Sequence, residues 1–292
     1  MEVKKPTTFE QQLIVIKDKG FVINDERQCL DLLHRVNYYA LSAYLLPFKL
    51  GKNEYVKGVD FEIIERIYEF DKKIRSLIFS LIEDIELFLR TQISYYHAHK
   101  YGPLGYLDNE NYSSRHRHDV FLTKIEKECI EANSKTLVVK HHKEEYDGNF
   151  PIWVMIEYFT MGMLSHFYAD LETSDKKYLS RELFDTAPGY LDSWLKCLTV
   201  LRNKCAHYSR LYFLKFTDYP KFRPEDKIQP TQRLFDQFMM LNYLYTNRFQ
   251  WYSKAIVPLE NLIEEYKESI KLSHIGFPLN WKELLSGKIK FT

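Results

Sequence analysis

The stretch FEIIERIYEFDKKIRSLIFSLIEDIELFLRTQISYYHAHK, residues 61–100, decides the fold of this chain. Its apolar side chains recur every three or four residues, the spacing that lines them up along one side of an α-helix. Asp60 precedes the stretch as a helix cap, and Gly102 with Pro103 follows it as a stop signal. The pattern predicts one long helix with a buried apolar stripe. The stripe consists of Ile67, Phe70, Ile74, Leu77, Leu81, Ile85, Phe88 and Leu89.

Helical signals continue on both sides of this stretch. Thr8 is the predicted cap of a helix that Gly20 ends, and a second helix begins near Asn24 or Asp25. Downstream, Pro151 has the position of a first-turn proline. Further helices are predicted over residues 120–132, 151–171, 174–184, 190–212, 231–256 and 258–272. Alternating runs typical of strands are absent from the sequence, which therefore predicts an all-α fold.

The composition describes a folded chain without a dominant charge. The 292 residues are 45% hydrophobic, which is ample for a large core. The 41 basic and 40 acidic residues give a net charge of +1, so nucleic acid or an anionic membrane would have to bind a local patch. The first residues lack the apolar stretch of a signal peptide, and no apolar run has the length of a membrane-spanning helix. We expect a cytoplasmic protein with no membrane partner.

Cysteine and histidine usage indicates no cofactor and no metal. Cys29, Cys129, Cys197 and Cys205 are scattered without a C-x-x-C pair, as expected of buried thiols in a reducing compartment. Four histidines lie in two short clusters, but no carboxylate or thiolate stands at a useful spacing beside them. They are His116, His118, His141 and His142. Sequence motifs of NTPases, dehydrogenases, zincins and α/β-hydrolases are also absent.

The stretch LRNKCAHYSRLY, residues 201–212, places polar residues on a predicted helix that is otherwise leucine and aromatic. At about 100° per residue, one side of this helix carries an apolar seam and the other a polar ridge. The predicted seam comprises Trp194, Leu198, Leu201, Cys205, Tyr208 and Tyr212. The predicted polar ridge comprises Asn203, His207 and Arg210, with Arg202 and Ser209 on one flank.

Spacing alone leaves two interpretations of the polar ridge open. Most amphipathic helices carry a solvated face with no further role, and the bare spacing favours that interpretation. A pattern of arginine, four to six residues and then histidine is weak support for catalysis, because three pairs in this chain satisfy it. The pairs are Arg27–His34, Arg90–His97 and Arg202–His207.

Two other polar sets are candidates for a supporting or RNA-binding role. Glu86, Arg90 and His97 lie on nearly one side of the long helix, where they would brace a site or line an RNA groove. The plainer account is an ion pair of Glu86 with Arg90 within the helix. The loop SSRHRHD offers Arg115 and Arg117 as phosphate contacts, and the alternative is an ordinary exposed loop.

The surroundings of the third arginine–histidine pair resemble a known family. The string Arg202-Asn203-x-x-Ala206-His207, followed by Arg210-Leu211, resembles the HEPN signature in the form found in abortive-infection proteins of the AbiD/AbiF-like (Abi) group. Four other blocks resemble this family in the same order, so the resemblance covers nearly the whole chain. They are NYYALSAYLLPF, IEDIELFLRTQISYY, FPIWVMIEYFTMGMLS and GFPLNWKELL.

The resemblance implies a fold and a division of the chain. A HEPN-like helical bundle would occupy residues 58–216, after an N-terminal helical extension over residues 1–57 and before a C-terminal helical region over residues 217–292 that packs on the core. Two copies would pair so that their Arg-Asn-x-x-Ala-His segments meet, because a two-fold axis brings the same surface of both copies together. We therefore expect a homodimer.

The resemblance also implies an activity, that of a metal-independent endoribonuclease in phage defence or a toxin system. RNA supplies its own nucleophile, the 2′-hydroxyl, which needs deprotonation and alignment with the phosphate. His207 is the expected base, with the second copy's histidine as acid, because imidazole titrates near neutral pH. Arg202 would stabilise charge on the phosphate, Asn203 would orient the imidazole or contact the phosphate, and Arg210 is a supporting candidate.

Two alternatives to an active nuclease remain open. One is a non-cleaving HEPN scaffold that binds RNA or a protein, working beside a structured noncoding RNA as some relatives are thought to do. The other is a HEPN toxin whose motif a partner nucleotidyltransferase modifies covalently. It is disfavoured because the tyrosine arrangement expected just after the histidine is lacking: Tyr208 follows immediately and falls on the predicted seam. A restraining antitoxin is a further expected partner.

Overall fold

The computed structural model describes residues 5–287 and has the all-α fold that the sequence predicts. Two short strands within that range, β1 (Phe21–Val22) and β2 (Val59–Asp60), pair in parallel. The α-helices are α1 (Phe9–Asp18), α2 (Glu26–Arg35), α3 (Tyr38–Ser42), α4 (Phe61–Tyr101), α5 (His118–Lys124), α6 (Leu137–Glu145), α7 (Ile152–Met155), α8 (Met161–Asp170), α9 (Thr173–Phe184), α10 (Pro188–Ala206), α11 (Leu234–Leu244), α12 (Arg248–Trp251), α13 (Val257–Tyr266) and α14 (Trp281–Ser286). Short 3-10 helices cover Ala43–Phe48, Gly105–Leu107, Asn109–Asn111, Ile156–Tyr158, Pro224–Asp226 and Leu272–His274, and π-helical turns cover Ile125–Glu131 and Tyr252–Ile256.

Helix α4 is the predicted long helix and runs through the core. Its first turn is capped by the Asp60 carboxylate, which accepts a hydrogen bond from the backbone N–H of Glu62, and it ends at Gly102, whose φ is 83°. Leu77 and Phe88 are partly buried against the core, and the other members of the predicted stripe are buried. Charged residues occur along α4, and no helix within residues 5–287 has both the length and the apolar character to cross a membrane.

The three predicted regions of the chain share one hydrophobic core. Its buried side chains extend from Leu13 in α1 to Leu285 in α14. Helix α13 packs on α4, where Arg66 donates hydrogen bonds to the Ser269 hydroxyl (3.0 Å) and the Glu265 carbonyl (2.9 Å). The C-terminal helices therefore lie against the same central helix as the N-terminal ones. The boundaries at residues 57/58 and 216/217 stay predictions.

The single helix predicted over residues 231–256 is wrong, because residues 245–247 between α11 and α12 are not helical. The single helix predicted over residues 151–171 is wrong as well, because the chain breaks between α7 and α8. Thr160 caps α8 by accepting from the backbone N–H of Met163. The buried guanidinium of Arg90 donates hydrogen bonds to the carbonyls of Ile156 and Phe159, the latter at 2.6 Å. A distant arginine thus satisfies the carbonyls that the break leaves without helical partners. Local sequence could not predict this contact.

All four cysteines are free and buried, as the sequence predicts. Burial raises the pKa of the Cys29 thiol to about 11 and that of the Cys205 thiol to about 12. A thiol with so high a pKa stays protonated and unreactive near neutral pH. The cysteines therefore act as small apolar residues in the core.

Candidate functional site

Helix α10 carries the Arg-Asn-x-x-Ala-His segment and ends inside it, at Ala206. The backbone N–H of Ser209 bonds the Lys204 carbonyl at 2.9 Å, and that of Tyr208 bonds the Cys205 carbonyl at 3.2 Å. Tyr208 has a φ of 55°, in the left-handed region where glycine usually ends such a helix. This pair of bonds is a Schellman motif, and it places His207 at the C-terminal cap of α10.

A buried carboxylate on α4 holds the chain after this helix end. Asp71 accepts hydrogen bonds from the backbone N–H groups of Leu211 (3.1 Å) and Tyr212 (2.6 Å), and from the Tyr44 hydroxyl (2.7 Å). Arg75, one turn along α4, forms an ion pair with it. Burial raises the pKa of Asp71, while Arg75, Tyr44 and the two N–H groups oppose that shift. Asp71 thus fixes the turn that follows His207.

Sequence reasoning did not single out Asp71 as a site residue. The available signal was its position: the carboxylate stands next to Phe70 in the apolar stripe, and Arg75 follows four residues later. A charged pair at this spacing on the buried side of a core helix indicates a buried ion pair that holds something else in place. Here the element that it holds is the turn carrying the motif histidine.

Two of the three residues of the predicted polar ridge lie together at the surface, and the third does not. Asn203 and His207 are exposed, as predicted, and lie one helical turn apart. Arg210 is not on the ridge, because the helix has ended; its guanidinium folds back and donates to the Tyr212 carbonyl at 2.6 Å. Tyr208 is not on the core seam either, since 84% of it is exposed. Burial of Tyr208 therefore does not disfavour covalent modification of the motif.

Arg202 lies beside this exposed edge and faces a carboxylate of α4. Its Nε is 3.9 Å from an oxygen of Glu86, whose other oxygen pairs with Arg90 at 2.5 Å. The Nε is buried without a hydrogen-bond partner, and 35% of the side chain remains exposed. Arg202, Glu86 and Arg90 line a cleft of about 290 Å³. Glu86 therefore attracts Arg202, and its ion pair with the buried Arg90 holds the Glu86 carboxylate in place.

His97 was grouped with Glu86 and Arg90, but the structure places it elsewhere. It is fully buried, its two ring nitrogens have no hydrogen-bond partner, and its ring packs against Tyr101 and Phe167. Burial lowers the pKa of His97 to about 4. The side chain therefore lines no surface groove, and the prediction that it shares an RNA surface with Arg90 is wrong.

The buried His97 predicts an acid-sensitive stability. The unfolded chain gains a proton at this histidine near pH 6.5, whereas the folded chain does so only near pH 4. Stability is therefore lost as the pH falls through this window, by about 3 kcal/mol in total. We expect His97→Leu to lose less stability than the wild type between pH 7 and pH 4.5. The measurement is the free energy of unfolding in urea at these two pH values. The exposed His99→Leu is the control, and an equal slope in both variants would contradict the prediction.

The loop with Arg115 and Arg117 lies near the C-terminal end of α4, beyond His97. Both arginines are exposed, and the loop is held by His116, which hydrogen-bonds Asp170 at 3.0 Å and stacks on Tyr112. Tyr112 in turn lies near His97, which is about 16 Å along α4 from Glu86 at 1.5 Å per residue. The structure therefore does not bring these arginines beside Arg202. Their role in RNA binding stays a prediction.

The comparisons with known proteins identify the family of the chain. Within residues 5–287, no group of three or more histidine, cysteine or acidic side chains is arranged to hold a metal ion. No curated protein matches the sequence, and no solved structure matches it. The profile of the Abi-like protein family matches residues 31–213, more than half of the chain, and this span includes Asp71, Glu86 and the Arg202–His207 segment. The chain therefore belongs to the Abi-like protein family, which relates it to abortive infection as a defence against phage.

Proposed function

We propose that this Abi-like protein is a HEPN endoribonuclease that needs no metal and acts as the effector of abortive infection or of a related toxin system. One observation carries the proposal. Helix α10 is largely buried, and its exposed positions after Lys196 are Asn203 and the cap residue His207, with Arg202 next to them. This exposed edge offers a group that exchanges protons near neutral pH, an amide and a permanent cation side by side, the groups that cleavage by the 2′-hydroxyl of RNA requires.

The three side chains suit transesterification by the 2′-hydroxyl of RNA. His207 accepts the proton of that hydroxyl as the general base. Arg202 stabilises the negative charge that builds on the phosphate oxygens, because its planar guanidinium presents several donors at once. Asn203, one turn before His207, orients the imidazole or the phosphate. The products are a 2′,3′-cyclic phosphate and a 5′-hydroxyl, and DNA is not cut because it lacks the nucleophile.

A homodimer completes the site, because one chain offers one exposed histidine at this end of α10. The cleft around Arg202 is bordered by two exposed apolar side chains of α4, Phe79 (41% exposed) and Leu87 (53% exposed). Exposed apolar residues beside a polar site are typical of a surface that a partner covers. A two-fold contact at this face would bring a second His207 to serve as the general acid. A restraining antitoxin would act by separating the two copies or by covering the site.

The test is cleavage of a mixed RNA pool by the purified protein with a chelator present. We expect fragments ending in 2′,3′-cyclic phosphate, and an RNA with a single 2′-deoxynucleotide at the cut position should stay intact there. Arg202→Ala should lower the rate about 10²-fold, the size expected when one donor to a transition-state charge is lost. The matched control is Arg181→Ala, an exposed arginine on α9.

The outcome also separates this function from the non-cleaving scaffold. Sedimentation of the same samples shows whether each variant is a dimer. A folded dimer that cuts no RNA in the pool, with or without the Arg202 substitution, would contradict the nuclease and favour a scaffold for RNA or for a partner protein.

A further inference from the structure

A large groove opens beside His207 and extends away from the cleft around Arg202. Its volume is about 1670 Å³. One wall is the N-terminal segment with α1, α2 and α3, the floor is α4, and the other wall is the turn after α10. Along the floor the groove runs from Tyr68 to Glu83, about 22 Å at 1.5 Å per residue. The groove therefore joins the N-terminal helices to the motif histidine.

The lining of this groove is strongly positive although the whole chain is almost neutral. Its cations are Lys5, Lys19, Arg35, Lys72, Arg75 and Arg210, and its one acid is Glu83. Asp71 beneath the surface neutralises Arg75, and Glu69 pairs with Lys72 at 3.5 Å, but an excess of positive charge remains. In a chain with a net charge of +1, six of the 41 basic residues thus line one concave surface. Such a surface attracts a polyanion, and the low dielectric constant of the protein walls strengthens that attraction.

Two exposed tyrosines stand in the same groove. Tyr39 is 86% exposed, and its backbone N–H is bound by the Asn37 side chain at 2.8 Å, which fixes the start of α3. Tyr208 is 84% exposed next to His207, on a residue whose φ of 55° disfavours any side chain. A strained position that keeps a large exposed ring indicates a use for that ring. Flat aromatic rings between cations are the arrangement on which unpaired bases stack.

We propose that this groove binds single-stranded RNA and leads the strand to His207. The inference rests on the proposed nuclease function and adds the form of the substrate and its path. Arg35, in the N-terminal wall, and Lys72, on the α4 floor, contact phosphates, and Tyr39 and Tyr208 stack on bases. Stacking requires bases that are not paired, so the groove selects single strands, loops or ends over a duplex. The charge of the lining and the two rings together favour this occupant.

The test is the binding of a fluorescent 12-nucleotide 2′-O-methyl RNA, which cannot be cut, followed by fluorescence anisotropy. Arg35→Glu with Lys72→Glu should weaken binding more than about tenfold and lower the salt slope by about 0.7 for each phosphate that the protein no longer neutralises. Tyr39→Ala with Tyr208→Gly should weaken it at least about fivefold for each base that no longer stacks; glycine fits the φ of residue 208. The control is Lys143→Glu with Lys177→Glu, two exposed lysines on α6 and α9.

Each outcome decides the inference separately from the nuclease. Equal binding by the groove variants and the control would overturn it, as would equal or tighter binding of a duplex of the same sequence. Conversion of a dimer into monomers by the groove variants would also overturn it, because the groove would then be an interface between copies. Groove-dependent binding by a protein that cuts nothing would support the RNA site while contradicting the nuclease.

Discussion

Replacing His207 with alanine is expected to lower the rate of RNA cleavage about 10²- to 10⁴-fold, the range for the loss of a general acid or base. The effect should fall on the rate at saturating RNA and leave binding nearly unchanged, because the imidazole acts on protons that move only in the transition state. The measurement is single-turnover cleavage of a labelled RNA, with RNA affinity followed in parallel.

Two controls separate catalysis from folding and from charge. His141→Ala removes another exposed histidine, on α6, and should leave the rate unchanged. Adding excess His207→Ala protein to wild type should suppress cleavage more than simple dilution does, because a mixed dimer keeps only one of the two imidazoles. A decrease below about tenfold in the alanine variant would exclude His207 as the base or acid. A decrease by dilution alone would mean that each site uses one histidine.

Local signals were enough to predict the framework of the fold. The sequence predicts helix α4 almost to the residue, because its aspartate cap, its long apolar stripe and its Gly-Pro stop all lie in one continuous stretch of sequence. Two of the faults in the helix assignments have a common physical cause. The break at Thr160 depends on Arg90, and the end of α10 depends on Asp71, and each contact joins residues that are far apart in sequence.

The candidate site was predictable up to the same limit. Helical geometry predicted that Asn203 and His207 share one exposed edge, because Asn203 lies within α10 and His207 at its C-terminal cap. The same helical geometry placed Tyr208 and Arg210 on the wrong sides, because it assumed a helix that continues past Ala206. A glycine at position 208 would have signalled the end, but the chain has a tyrosine there. The groove was beyond prediction, because its walls come from segments whose packing no local pattern encodes.

Replacing Asp71 with alanine is expected to lower the free energy of unfolding by about 3–5 kcal/mol, the cost of breaking a buried ion pair by removing one partner. Arg75 would keep a buried charge without its partner, and the N–H groups of Leu211 and Tyr212 would lose their acceptor. The measurement is unfolding in urea at pH 7. The control is Glu182→Ala, which removes an exposed acid on α9 and should cost less than about 0.5 kcal/mol.

A second variant distinguishes the charge of Asp71 from its acceptor role. In Asp71→Leu with Arg75→Met both charges are gone, so the decrease in stability should be smaller than the sum of the two single decreases. The backbone N–H groups of the turn still lack an acceptor, and RNA cleavage should therefore stay impaired even where the protein is folded. If cleavage instead recovers with stability, the carboxylate serves only the core. If Asp71→Ala costs below about 1 kcal/mol, the turn that carries His207 is held by other contacts.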